Sequence, residues 1–112
     1  MKLVRTNETP EVGLSHDENI KKKVFLEKGY IPQLMNFSSA TFKPGQAVES
    51  HQHLTMFEVF YLISGSADFV VNQEKITLNA GDCITIEPGE VHSQHNPYNE
   101  DVVWLYFGIA TD

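Results

Sequence analysis

Residues 45–65, GQAVESHQHLTMFEVFYLISG, decide how the chain is read. The run from Glu58 to Ile63 is dense in β-branched and aromatic residues and is closed by Ser64-Gly65, the signature of a short strand ended by a turn. His51 and His53 stand two apart in a second extended run, Ala47–His53, so both imidazoles project from one face of the sheet. Glu58 follows a short turn, at the head of the next strand. A continuing pleat turns its carboxylate inward with Phe60 and Leu62. Two imidazoles beside a carboxylate are suitable donors for a divalent cation.

Outward from this stretch, short runs rich in Val, Ile, Phe, Tyr and Thr alternate with turn signals at Lys28-Gly29, Lys43-Pro44-Gly45, Asn72-Gln73, Ala80-Gly81, Pro88-Gly89 and Asn96-Pro97. The pattern predicts nine strands: Val24–Leu26, Leu34–Phe42, Ala47–His53, Glu58–Ile63, Ala67–Asn72, Lys75–Leu78, Cys83–Glu87, Val91–Asn96 and Val102–Ile109. No segment carries a convincing helical period. Many short strands without helices imply an all-β, antiparallel jelly-roll sandwich or barrel, which wraps two sheets together to protect their edges. No repeat or linker divides the chain, and 112 residues suffice for one core but not two. The expected division is a polar N-terminal arm over 1–22, adding an edge strand at most, and a barrel over 23–112.

His92 follows the Pro88-Gly89 turn and supplies a fourth donor from a strand remote in sequence, so an ion held by His51, His53, Glu58 and His92 would staple the two halves of the barrel together. A lone histidine is usually satisfied by ordinary hydrogen bonds, but the spacing argues otherwise. Gly45, His51, His53, Glu58 and Gly65 form G-x5-H-x-H-x4-E-x6-G, and Gly81, Gly89, His92 and Asn96 form G-x5-E-P-G-x2-H-x3-N. These resemble the two motifs of the cupin superfamily, and the chain is similar to small single-domain bacterial cupins of the conserved-barrel type. The resemblance implies a double-stranded β-helix, with the two His, the Glu and the later His binding one divalent transition metal: Mn, Fe, Ni, Cu, Co or Zn. One position departs, since Glu87 stands where the family usually has proline. Pro88 can still rigidify that turn.

Other residues have plainer readings. Gly45, Gly65, Gly81 and Gly89 fall at turns that often require positive φ. Asn96 is expected to satisfy nearby backbone. His95, three beyond His92, should face the opposite side, and His16 in the arm has no visible partner. Cys83 reads as a small packed hydrophobe, because nothing cationic nearby would activate its thiol. Trp104, Tyr106, Phe57, Phe60 and Phe69 read as core, some of them walling the metal cavity.

The formal charge of −7 disfavours nucleic acid and anionic membrane as partners. Lys21-Lys22-Lys23 reads as a solvated edge. The single cysteine rules out an internal disulfide framework, no apolar run reaches membrane-spanning length, and the polar start suggests a soluble, cytoplasmic protein. The only arginine is Arg5, and Lys43 is the cation nearest either motif in sequence, so phosphosugars and dicarboxylates are disfavoured as ligands. The resemblance covers catalytic and non-catalytic proteins. The leading expectation is a dioxygenase-like oxidoreductase acting on a small organic molecule, with Glu58 staying coordinated or accepting a proton. A non-catalytic binding or sensing barrel and a metal-dependent isomerase or hydrolase are the alternatives. The apolar last strand, Val102–Ile109, suggests a homodimer.

Overall fold

All nine expected runs are strands, with ends shifted by no more than three residues, in the computed structural model, which describes all 112 residues. A two-residue strand, β1 (Val12–Gly13), precedes them. The others are β2 (Lys21–Leu26), β3 (Leu34–Phe42), β4 (Ala47–His51), β5 (Met56–Ser64), β6 (Ser66–Val71), β7 (Glu74–Asn79), β8 (Cys83–Ile86), β9 (His92–His95) and β10 (Val102–Ala110). They form two antiparallel sheets, ordered β1-β2-β3-β10-β5-β8 and β4-β9-β6-β7, which face each other as a jelly roll, or double-stranded β-helix. Helix is confined to a single 3-10 turn, Thr6–Glu8.

Alternation along each strand builds the core between the sheets. Phe42, Phe60, Leu62 and Trp104 from the larger sheet meet Val48, Ala67, Phe69 and Leu78 from the smaller one. Trp104 is the hub, with ring centroids 4.4 Å from Phe42, 5.7 Å from Phe69 and 5.9 Å from Phe60. Large side chains of this kind contribute roughly 1.5–3 kcal/mol each when fully buried. At the β5–β6 turn, Gly65 has φ +81°, and a Cβ there would collide with the backbone of Asp101 and Val102. Only glycine closes that corner without moving the chain.

The outer face of the larger sheet is also apolar. Phe25, Phe37 and Phe107 form an edge-to-face row at 5.6 and 6.3 Å, and Phe57, Tyr61, Ile63 and Ile109 are exposed beside it. Two expectations are corrected here. Phe57 lies outside the core because it precedes the inward-facing Glu58, and Cys83 is exposed because its partner across the ladder is the outward-facing Tyr61.

Within residues 1–22, β1 pairs with the start of β2 to make a small hairpin. Its anchor is Ile20, which is fully buried, and Leu14 packs against the same core while its N–H donates to the Ile20 carbonyl at 2.9 Å. Asn96, also fully buried, donates Nδ2 to the Phe42 and Glu100 carbonyls and accepts from the Tyr98 N–H, as its turn position suggested.

On the outer side of the smaller sheet, Asp68 accepts from the Tyr98 hydroxyl at 2.7 Å and the Thr77 hydroxyl at 2.9 Å, with Lys75 Nζ at 3.2 Å. Burial would raise its pKa, but these partners outweigh burial and lower it from the ordinary value of 3.8. The folded state therefore favours the carboxylate. The resulting stability is present above the unfolded-state pKa and is lost as pH falls through the lower folded-state value. Asp68→Asn should cost about 1–3 kcal/mol at neutral pH and much less at about pH 2. Urea unfolding at the two pH values checks this, and an equal cost at both would refute it.

Candidate metal centre

The site begins with an irregularity in β4. Val48 faces the core opposite Gln94, and strict alternation from Val48 would turn His51 outward. Between Val48 and His51 the register shifts, so that His51, rather than Ser50, lies opposite His92. One extra residue on β4 against β9 is a β-bulge, a device that re-aims side chains. It sends His51 inward. β4 ends at His51, so His53 sits in the following turn rather than in the expected strand. Its position is held from the second motif, where the Gly89 N–H donates to the His53 carbonyl at 2.8 Å.

The four expected donors converge. Ligand atoms of His51, His53, Glu58 and His92 all lie within 4.8 Å of one another. Glu58 Oε1 is 3.2 Å from His92 Nε2 and 3.6 Å from His53 Nε2. His92 is fully enclosed, while the other three reach the cavity surface. Nδ1 of His51 lies 2.8 Å from the Glu49 carbonyl, and Nδ1 of His92 lies 2.9 Å from the Glu90 carbonyl. A carbonyl can only accept, so Nδ1 carries the proton in both rings, and a neutral ring presents bare Nε2 to an ion. The donor set and its tautomers fit a divalent metal.

Charges in the centre are balanced unevenly. Burial lowers the pKa of His51; the Glu49 carbonyl opposes the shift, and the surrounding imidazoles of His92, His16 and His53 reinforce it. His92 moves the other way: burial alone would lower its pKa, but the Glu58 carboxylate and the Glu90 carbonyl raise it. Tyr106 lies on the same wall, its phenol pushed up to about 12 by burial and by the Glu58 charge, against the opposing effect of Ser38.

Glu87, where the family usually has proline, has its own fastening. Its N–H donates to Glu90 Oε1 at 2.7 Å, a bond proline cannot make. Glu90 Oε2 accepts from Asn72 at 3.1 Å, and Asn72 in turn accepts from the Val91 N–H. The Glu90 side chain therefore braces the loop whose carbonyl orients His92.

The centre opens into a cavity of about 630 Å³ walled by Phe60, Trp104, Tyr106, Met35, Met56 and Leu54 among others. His16 also lines it, its ring centroid 4.6 Å from that of His51. It was missed because nothing in its spacing ties it to the motifs; the contact arises from docking of the hairpin. Lys22 and Lys28 line the cavity as well, so cations absent from the motifs arrive through β2 and the turn after it. The argument against acidic ligands from the sequence neighbourhood therefore fails. His95, as expected, is exposed on the far face of β9.

The cupin-domain family profile matches residues 38–108. A Thermotoga maritima protein named oxalate-binding protein is 33% identical over 69 residues, a match spanning 62% of this chain and 57% of that relative. The crystal structure of a predicted oxalate decarboxylase from Thermotoga maritima superposes with a TM-score of 0.89 at 26% identity, covering 97% of this chain and 99% of the other. An uncharacterised conserved protein with a double-stranded β-helix domain from Klebsiella pneumoniae superposes with a TM-score of 0.77 at 25% identity, covering 100% and 92%. With the profile spanning both motifs and the four donors gathered in one barrel, the chain belongs to the cupin family.

Proposed function

We propose that this chain is a metal-dependent cupin that binds a small organic acid on a divalent transition metal held by His51, His53, Glu58 and His92, and oxidises it in a dioxygenase-like reaction. The observation that carries the reading is the convergence of three imidazoles and one carboxylate on the wall of a cavity with largely apolar sides. Three nitrogens and one oxygen leave positions free on a six-coordinate ion. The relative named for oxalate binding supports a carboxylate as the ligand group. When bound, a redox-active ion would supply Lewis-acid polarisation and electron exchange with O₂.

The chain's own residues account for the rest. His51 and His92 are oriented by backbone carbonyls before any ligand arrives. Glu58 meets both His53 and His92 through Oε1, leaving Oε2 to accept a proton from the ligand. Trp104, Phe60 and Met56 exclude water from the ligand's carbon skeleton. The name of the Thermotoga relative also favours a second reading, a barrel that binds its acid without turning it over.

The exposed apolar face formed by β5 and β10 suits a second copy, and we propose a homodimer packed through it, in a reducing cytoplasm where the exposed Cys83 stays free. Tyr61→Lys should convert the dimer to monomer in analytical ultracentrifugation. A wild-type monomer at micromolar concentration would refute the assembly.

His51→Ala should strip most of the metal, measured by elemental mass spectrometry, from a barrel that remains folded. Full occupancy in that variant would refute the centre. Because Glu58 and Glu90 favour the proton on metal-free His92, the ion must displace it, and apparent metal affinity should fall by roughly tenfold per pH unit below the raised His92 pKa and level off above it. Metal titrations between about pH 5 and about pH 8 test the sign. Oxygen consumption matched to loss of an organic acid would support the oxidative reading. Metal-dependent stabilisation by oxalate without turnover would favour binding alone.

A further inference from the structure

We propose that Lys22 and Lys28 form an anion subsite facing the metal centre, so that the ligand is a diacid longer than oxalate: one carboxylate on the ion, an apolar middle, and a second carboxylate on the lysines. The inference rests on the metal-bound acid proposed above and specifies its class.

Three observations carry it. The chain is acidic, with a formal charge of −7, yet Glu58 is the only acidic residue lining the cavity, while Lys22 and Lys28 both line it. Neither lysine is in a salt bridge, although Lys75 pairs with Asp68, and the neighbours Lys21 and Lys23 are tied by Nζ hydrogen bonds to the carbonyls of Glu18 and Thr6. With a divalent ion in place, the wall carries a surplus of positive charge that a single carboxylate does not balance.

The volume points the same way. Cavities of roughly 300–1,000 Å³ take drug-sized ligands, and about 630 Å³ is far more than oxalate fills. Phe60, Trp104 and Met56 line the same cavity, surfaces that favour a carbon chain over water. Both lysines precede residue 38, where the match to the family profile begins, so the subsite lies outside the segment that defines the family.

The placement of Lys22 is built into the fold. It pairs with Ala40, whose side chain faces the core, so Lys22 projects to the same inner side of the sheet while Lys21 and Lys23 project outward. The adjacent Ile20 anchor, fully buried, fixes the strand at that point.

The test is calorimetric titration of zinc-loaded protein with succinate, glutarate and adipate, each against the monocarboxylate of equal chain length, with oxalate alongside. At least one diacid should bind about tenfold tighter than its monoacid, and tighter than oxalate, with the preference shrinking at high salt. The double variant Lys22→Met/Lys28→Met should lose that preference while keeping its zinc, and Lys22→Arg/Lys28→Arg should retain it. Equal binding of diacids and monoacids by the wild type, or a preference that survives the double methionine variant, would overturn the subsite. If monoacids bind the wild type but not His51→Ala, and no diacid preference exists, the metal-bound acid stands and only the subsite falls. If no acid binds zinc-loaded protein, both ideas fall together.

Discussion

The bulge between Val48 and His51 is the constraint on which the centre depends. β4 must bury Val48 in the core and also present His51 inward three residues later, which a regular strand cannot do. The extra residue resolves the conflict and sets His51 opposite His92, so that two residues 41 positions apart in sequence face each other across one ladder. Pairing β4 with β9 thus brings two of the four donors together. His53 then depends on the clamp from Gly89, and Glu58 on the pleat of β5, where it pairs with Ile86 and Gly108. At Gly108 a Cβ would press on Met56, so the missing side chain leaves room for Met56 next to the carboxylate.

Electrostatics reinforce this geometry. The two carbonyls that accept from Nδ1 come from Glu49 and Glu90, each two residues before its histidine, so His51 is oriented by its own strand and His92 by the loop that leads into its strand. A metal-free site with a buried carboxylate and several imidazoles would be costly unless the charges were shared. The opposite pKa shifts of His51 and His92 describe that sharing: one ring takes a proton more readily because it faces Glu58, and the other takes one less readily because of burial among imidazoles. Glu87 and Glu90 extend the arrangement outward. Where proline would stiffen the loop through its ring, this chain uses a backbone N–H and a carboxylate, and the same carboxylate ties the loop to the turn at Asn72.

Most of the barrel was legible because its signals are local. β3 runs from Leu34 to Phe42 as expected, since its alternating burial ends at Lys43-Pro44-Gly45. The four donors were legible through their spacing and its resemblance to the two cupin motifs. Residues whose position depends on non-local packing were not. β1 is too short to show a pattern, and His16 meets His51 through the docking of a hairpin whose Ile20 is buried in the core. Phe57 and Cys83 were misplaced because an apolar residue on a strand was assumed to face the core, whereas both lie on the outer apolar face. The bulge did leave one trace: Val48 and His51 are an odd number of residues apart, and requiring both to face inward demands an irregularity between them.

The division along the chain has a physical basis. Residues 38–108, the segment matched by the family profile, contain both motifs, all four donors and nearly all of the aromatic core. The N-terminal hairpin adds little apolar burial beyond Ile20 and Leu14, yet it contributes Leu14, Ser15, His16 and Lys22 to the cavity wall. An element that contributes few core contacts but several lining side chains can vary without unfolding the barrel. On the proposed reading, the shared segment would set which ion can be held, while the hairpin and the turn after β2 would set which charges and shapes meet the ligand. On that reading, substitutions at Lys22 and Lys28 would change ligand preference with the four donors in place, whereas a side chain at Gly65 acts on the barrel and a change at the β4 bulge acts on the donors.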